Sequence, residues 1–186
     1  MTETERLITF RPLRAEDTTL MIAWRRNEHV RRWWHEATDD EVAADCAAVI
    51  AGVEAVYPFI ILLRERPIGY IQWYRLWTDG VVASPSYAQL TPPIPRSAAG
   101  ADIFIGEADC LYRGLGPRIM RTFLRERVFA DPEISGCIID PSPANVSAIR
   151  AYEKAGYHYV RTIWVEEESE EVYVMYLSRE ELGAED

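Results

Sequence analysis

Cysteine and histidine are scarce in this chain: three of each in 186 residues, at 46, 110 and 137 and at 29, 35 and 158. Cysteines so few, odd in number and far apart give no disulfide framework, and the scattered histidines add no metal-ligand spacing. No metal is therefore expected, and a reducing cytoplasm fits best. No stretch approaches the roughly 20 apolar residues of a membrane-spanning helix, and the opening MTETERLITF carries no apolar signal segment. Neither membrane nor export is expected. Positive charge is in deficit as well, with 20 Lys and Arg against 30 Asp and Glu, a formal net charge of −10. Nucleic acid needs a basic footprint and is not an expected partner. A cationic small molecule fits the balance, and so does acidity that serves solubility alone. Internal repeats and a second-domain boundary are also missing, so one domain over 1–186 is expected, long enough to bury a real core.

What is present is a succession of strand-like and helix-like segments. RLITFRPL (6–13) reads as a strand, and Asp17 opens an amphipathic helix to about Asn27. The spacing of Thr38 and Glu41 predicts a capping box and a helix to about Gly52. VYPFIILLR (56–64) and IGYIQWYRL (68–76) flank a short turn as a hairpin. Residues 77–100 hold four prolines and predict a long irregular loop, a kind of segment that is usually functional or mobile. ADIFIGE (101–107) predicts a strand, and 114–131 a helix with Leu115, Ile119, Phe123 and Leu124 on one side. SGCIID (135–140) is a further strand, a helix follows from Val146, and a hairpin around EEESEE closes the chain. The order predicts an α/β (α+β) fold, a mixed sheet covered by helices.

Two segments carry chemistry. In LYRGLGPRI (111–119) two glycines precede a helix. There the backbone can approach a ligand closely, and free N–H groups at the helix start favour an anion. Arg113 and Arg118 add positive charge, so phosphate or pyrophosphate is the expected ligand. Ile119 stands where a dinucleotide fingerprint needs its third glycine, and no Lys followed by Ser or Thr completes a P-loop. Pro117 removes one donor but is tolerated in a first helical turn. In DPSPANVSAIRAYEKAGY (140–157) a rigid turn leads into a short helix that carries Tyr152 on the face of Ile149. A lone inward tyrosine is ordinarily core.

LYRGLG resembles the R/Q-x-x-G-x-G/A pyrophosphate loop of the GNAT acyl-CoA N-acyltransferases, and NVSAIRAYEKAGY (145–157) resembles the segment that follows it there. Leu111 departs from the pattern, where the superfamily usually carries Arg or Gln. The runs GAD (100–102), LYRGLGPRIMR, DPEISGCIIDPSPANVSAIRAYEKAGY, VRRWWHE and PFIILLRERPIGYIQWY are similar to aminoglycoside 6'-N-acetyltransferases, a resemblance running from about residue 8 to 177. It implies the GNAT fold, a mixed central sheet with a splayed strand pair flanked by helices. It also implies acetyl transfer from acetyl-CoA, a co-substrate used without metal, to the 6'-amine of an aminoglycoside antibiotic. Other acceptors on that framework stay open: a siderophore precursor, a polyamine or a protein N-terminus. A non-catalytic acyl-CoA-binding module is a further reading, against which Asp102 and Tyr152 argue. Monomer and homodimer are both open.

The resemblance also implies roles. Ile103, Phe104 and Ile105 would meet acetyl-CoA along their strand, whose backbone N–H groups are the expected oxyanion donors. Arg113, Gly114, Leu115, Gly116, Pro117 and Arg118 would hold the pyrophosphate, with Asn145 and Tyr152 completing the cofactor site. Tyr152 matches the family tyrosine beside the cofactor sulfur, and a phenol of reference pKa about 10 can protonate a departing thiolate. Asp102 matches the family's candidate base. A carboxylate of reference pKa near 4 is a weak base for an amine unless desolvated, so it either takes the proton or orients the ammonium and relays the proton through water. Asp140 would hold another acceptor amine, with Trp34, Tyr74 and Asp79 as further acceptor-site candidates.

Overall fold

The computed structural model describes residues 7–34, 36–53, 55–78, 81–82, 85–90, 93–166 and 169–184, with backbone alone at 78, 81, 82 and 89. Among the described residues nine strands are formed: β1 (Ile8–Pro12), β2 (Val56–Leu63), β3 (Arg66–Arg75), β4 (Trp77–Thr78), β5 (Val81–Val82), β6 (Ala98–Ile105), β7 (Gly136–Ile139), β8 (His158–Val165) and β9 (Glu170–Ser178). Six α-helices accompany them: α1 (Thr18–Arg25), α2 (Glu28–Arg31), α3 (Asp39–Ile50), α4 (Leu115–Phe123), α5 (Val146–Ala155) and α6 (Arg179–Ala184). Seven strands join in the order β1-β2-β3-β6-β7-β9-β8, and β4 pairs with β5. The sheet is mixed, because β6 and β7 run parallel while β1–β2, β7–β9 and β8–β9 are antiparallel. Among the described residues no helix is long and apolar enough to cross a membrane.

Local signals account for most of these elements. Thr38 accepts from the Glu41 N–H and donates its own N–H to the Glu41 carboxylate, the reciprocal cap that starts α3. The β2–β3 hairpin turns on Arg64 and Glu65, both at positive φ. A two-residue turn of this hand matches the strand twist and normally recruits Asn or Gly. Three expectations change. β6 begins at Ala98 rather than 101, because Ala98, Ala99 and Gly100 pair in parallel with Gly136–Ile138 and need to be small and buried more than β-branched. The predicted 114–131 helix is α4 followed by a single π turn, Leu124–Val128, in which the Phe129 N–H reaches the Leu124 carbonyl at 2.7 Å. The terminal helix α6 was not anticipated, although Ser178 and Glu181 cap it as Thr38 and Glu41 cap α3.

The chain divides into two compact units, 1–73 with 102–115 and 74–101 with 116–186. In the first, Leu13, Met21, Trp24, Val30, Val42, Cys46, Ile60, Tyr70 and Phe104 form the core. The second closes over Leu76, Tyr87, Leu90, Ile94, Ala98, Ile138, Val165, Val172 and Val174. One ion pair ties down the start of the first unit. The Arg11 guanidinium grips Asp17 at both carboxylate oxygens (2.6 and 2.7 Å), and the Arg14 N–H donates to it at 2.9 Å. Burial pushes the Asp17 carboxyl up, but Arg11 and the Arg14 N–H outweigh it and hold the group below the usual carboxylate range.

Asp17→Asn is expected to cost about 2–3 kcal/mol in urea melts at pH 7, the scale of a hydrogen-bonded charge. A carboxylate with a depressed folded pKa stabilises above its unfolded pKa and loses that contribution as pH falls through the folded one. The gap between wild type and variant should therefore close on acidification.

Candidate active site

β6 pairs with β7 only from Ala98 to Gly100, opposite Gly136 to Ile138, and continues for five residues more. The ladder ends where the resemblance implies a splay. The far end of the strand is pinned within the first unit. The N–H groups of Gly106 and Glu107 both donate to the Ile68 carbonyl (2.8 and 3.1 Å), two residues facing one as in a β-bulge. Asn27 donates to the Gly106 carbonyl and Trp24 to the Glu107 carboxylate. His29 Nε2 lies 3.0 Å from the Ile105 carbonyl. A carbonyl only accepts, so that nitrogen carries the proton. Phe104 is sealed in the core and meets Trp24 and Trp34 edge-on, so only its main chain can face a ligand. Ile103 and Ile105 are half-buried.

Asp102 stands two residues past the last β6–β7 pair, half-buried. Gln72 Nε2 donates to its Oδ2 at 2.7 Å, and the Tyr70 hydroxyl donates to Gln72 Oε1 at 2.6 Å. Burial raises the Asp102 pKa above the ordinary carboxylate value, and the Gln72 amide draws it part of the way back. A raised pKa makes a carboxylate a better base. Trp34 packs edge-on to Tyr70 at 6.1 Å with the Arg25 guanidinium 5.5 Å from its ring centroid, so its side chain belongs to the same cluster.

The glycine loop has two different glycines. Gly114 holds φ +69, which a side chain would strain, and a Cβ there would meet nothing within 4 Å. Gly116, in the first turn of α4, would bring a Cβ only to ordinary contact with Ala151 at 3.4 Å. Protein packing does not demand glycine at either position, so the open space is available to a ligand. Tyr112 also takes positive φ and is 93% exposed. Leu115 is buried, Arg113 exposed, and Gly116, Pro117 and Arg118 half-buried. The first-turn N–H groups of α4 complete a place fit for phosphate oxygens.

In the second unit Tyr152 is 8% exposed on α5, its ring centroid 6.1 Å from that of Tyr157. Burial pushes the Tyr157 phenol well above its ordinary pKa, so that tyrosine keeps its proton. Asn145 caps α5, its Oδ1 accepting from the Ala148 N–H at 3.2 Å and from Ser147. Asp140 accepts from the hydroxyl of Tyr87, a buried residue of the 77–100 segment. The Tyr74 ring lies where a Cβ on Gly100 would stand, 2.5 Å away. Asp79 lies outside the described residues. The structure thus groups Asp102, Phe104 and Trp34 around Tyr70, links Asp140 to Tyr87, and seats Tyr74 on Gly100. Sequence reading missed Gln72, Tyr70 and Tyr87. The period-two alternation of Tyr70, Gln72 and Tyr74 along β3 was the available signal for the first two. No cluster of three or more His, Cys, Asp or Glu able to hold a metal ion occurs among the described residues.

Gly100→Ala should lower stability by about 1–3 kcal/mol through overpacking against Tyr74. In a double-mutant cycle with Tyr74→Ala most of that loss should disappear, and strictly additive melts would reject the contact.

Residues 14–165 match the family model of the acetyltransferase (GNAT) domain. The aminoglycoside N(6')-acetyltransferase type 1 of Klebsiella pneumoniae is 33% identical over 160 residues, covering 84% of this chain and 76% of the relative. Among solved structures, aminoglycoside acetyltransferase AAC(6')-Ib in complex with coenzyme A and kanamycin is similar with a TM-score of 0.80. It is 29% identical, over 95% of this chain and 98% of that one. The same enzyme with ribostamycin and coenzyme A gives a TM-score of 0.82 at 28% identity, over 95% and 96% of the two chains. With a strand that parts from its neighbour, a glycine loop at a helix start and a match across most of its length, this chain belongs to the GNAT acetyltransferase family.

Proposed function

We propose that this protein transfers the acetyl group of acetyl-CoA to the 6'-amine of an aminoglycoside, giving a bacterium that makes it resistance to the drug. The observation that carries the reading is the half-buried carboxylate of Asp102, raised in pKa, two residues beyond the point where β6 leaves β7. The likeness to enzymes named for that activity supports it. Because the reaction draws on acetyl-CoA, a cytoplasmic location goes with the reading, and the whole chain acts as one catalytic domain.

The reaction forms a bond between the amine nitrogen and the acetyl carbon and breaks the carbon–sulfur bond. Starting from an ammonium, the nitrogen gives up two protons on the way to the amide; the sulfur takes one and the other passes on to water. Acetyl-CoA supplies the activated thioester. Asp102 receives the proton of the ammonium, for which its raised pKa suits it better than an exposed carboxylate. Main-chain N–H groups of β6 beyond Gly100 stabilise the charge that grows on the thioester oxygen. Tyr152 gives the sulfur its proton, and the Asn145 cap fixes the start of the helix that aims it. Gly114, Gly116 and the first turn of α4 hold the pyrophosphate with Arg113 and Arg118. Asp140, Tyr74, Trp34 and Asp79 hold the rest of the drug, whose ammonium groups suit a chain of net charge −10.

Gly116→Val is expected to fold and to bind acetyl-CoA at least about tenfold more weakly by calorimetry, since a branched side chain takes the space of the phosphates. Tyr152→Phe keeps the ring and removes the proton. Turnover should fall about 100- to 10,000-fold when chemistry is limiting, with acetyl-CoA affinity unchanged; wild-type turnover would return Tyr152 to the core.

The direct test is thiol release from acetyl-CoA across aminoglycosides, polyamines and peptides, together with expression in a susceptible bacterium. Tolerance to kanamycin and tobramycin should rise with the native protein and vanish with Asp102→Asn, while drugs with a hydroxyl in place of the 6'-amine stay effective. Thiol release with polyamines or peptides alone would move the acceptor to another amine.

A further inference from the structure

We infer that Gln72 is a positioning residue that holds the Asp102 carboxylate ionised and aimed, and that Tyr70 sets the direction in which its amide does so. The inference rests on the reading of Asp102 as the group that takes the amine's proton. A glutamine amide can face a carboxylate with either end, and its neighbours decide which. With its N–H₂ toward Asp102, Gln72 stabilises the anion; with its oxygen there, it stabilises the protonated acid. Oε1 accepts from the buried Tyr70 hydroxyl at 2.6 Å, which leaves Nε2 to donate to Asp102 Oδ2 at 2.7 Å.

Arg25 of α1 interacts electrostatically with Tyr70. Arg25 itself is held by burial, which lowers its pKa, and by the charges of Asp45 and Cys46 on α3, which raise it. The titratable groups facing the chain are therefore Tyr70 on β3, Arg25 on α1, and Asp45 and Cys46 on α3. At Asp102 itself, burial and the Gln72 amide are the two influences on its ionisation. Burial raises the pKa of the carboxylate, and the oriented amide offsets part of that rise.

The test is a titration that does not pass through activity. In protein carrying ¹³C-labelled aspartate carboxyls, the Asp102 signal is identified by its loss in Asp102→Asn. Gln72→Leu and Gln72→Met should raise its midpoint by about one to two pH units, the worth of a hydrogen bond to a charged group. Tyr70→Phe should raise it less, because the amide survives but loses its orientation. The pH–turnover profile of Gln72→Leu should shift to higher pH than that of the wild type, a change that simple loss of packing does not produce. Unchanged midpoints in folded Gln72→Met and Tyr70→Phe would overturn the inference while leaving Asp102 as the base. Full turnover in Asp102→Asn would remove the base, and this inference with it.

Discussion

The candidate site depends on a strand whose pairing ends early. β6 keeps β7 through Ala98–Gly100, where small residues allow close parallel pairing, and then goes on to Ile105 pinned at its end by the Ile68 carbonyl, Asn27 and His29. Main-chain N–H and C=O groups that lose a strand neighbour need another partner, because a buried polar group without one costs about 1–3 kcal/mol. Asn27 and His29, remote in sequence, hold the end of this strand by its carbonyls.

Asp17 and Asp102 are both pushed upward by burial and end on opposite sides of the ordinary carboxylate range. Asp17 has a guanidinium on both oxygens, a charged partner strong enough to reverse the effect, and ends below the usual range. Asp102 has a neutral amide, which offsets only part, and ends above. The first group is fixed as an anion and serves stability. The second is left able to exchange a proton. Asp17 faces a charged guanidinium and a backbone N–H, whereas Asp102 faces one neutral amide.

Local chemistry was readable where it followed a repeating signal. The Thr38–Glu41 spacing led to a capped helix, and the inward stripe from Leu115 to Leu124 led to α4. The same spacing in Ser178–Glu181 was passed over, because a six-residue helix shows too little periodicity to point to its own cap. The β2–β3 turn holds positive φ at Arg64 and Glu65 without glycine or asparagine, so its geometry left no trace in composition. The start of β6 was missed for a related reason: alanines paired in a crowded sheet carry no strand propensity of their own.

Gly114 and Pro117 are local devices, each acting on backbone within a few residues, and the order of amino acids was enough to establish them and the family they resemble. The ionisation of Asp102 was not available at that level. Its partner Gln72 stands 30 positions away, and Tyr87 stands 53 from Asp140. Neither pair follows a short-range spacing, and each meets only when a sheet or a long connecting segment brings its members together. A side chain's chemistry is written in its own residue, but its pKa and its aim depend on what folding sets beside it.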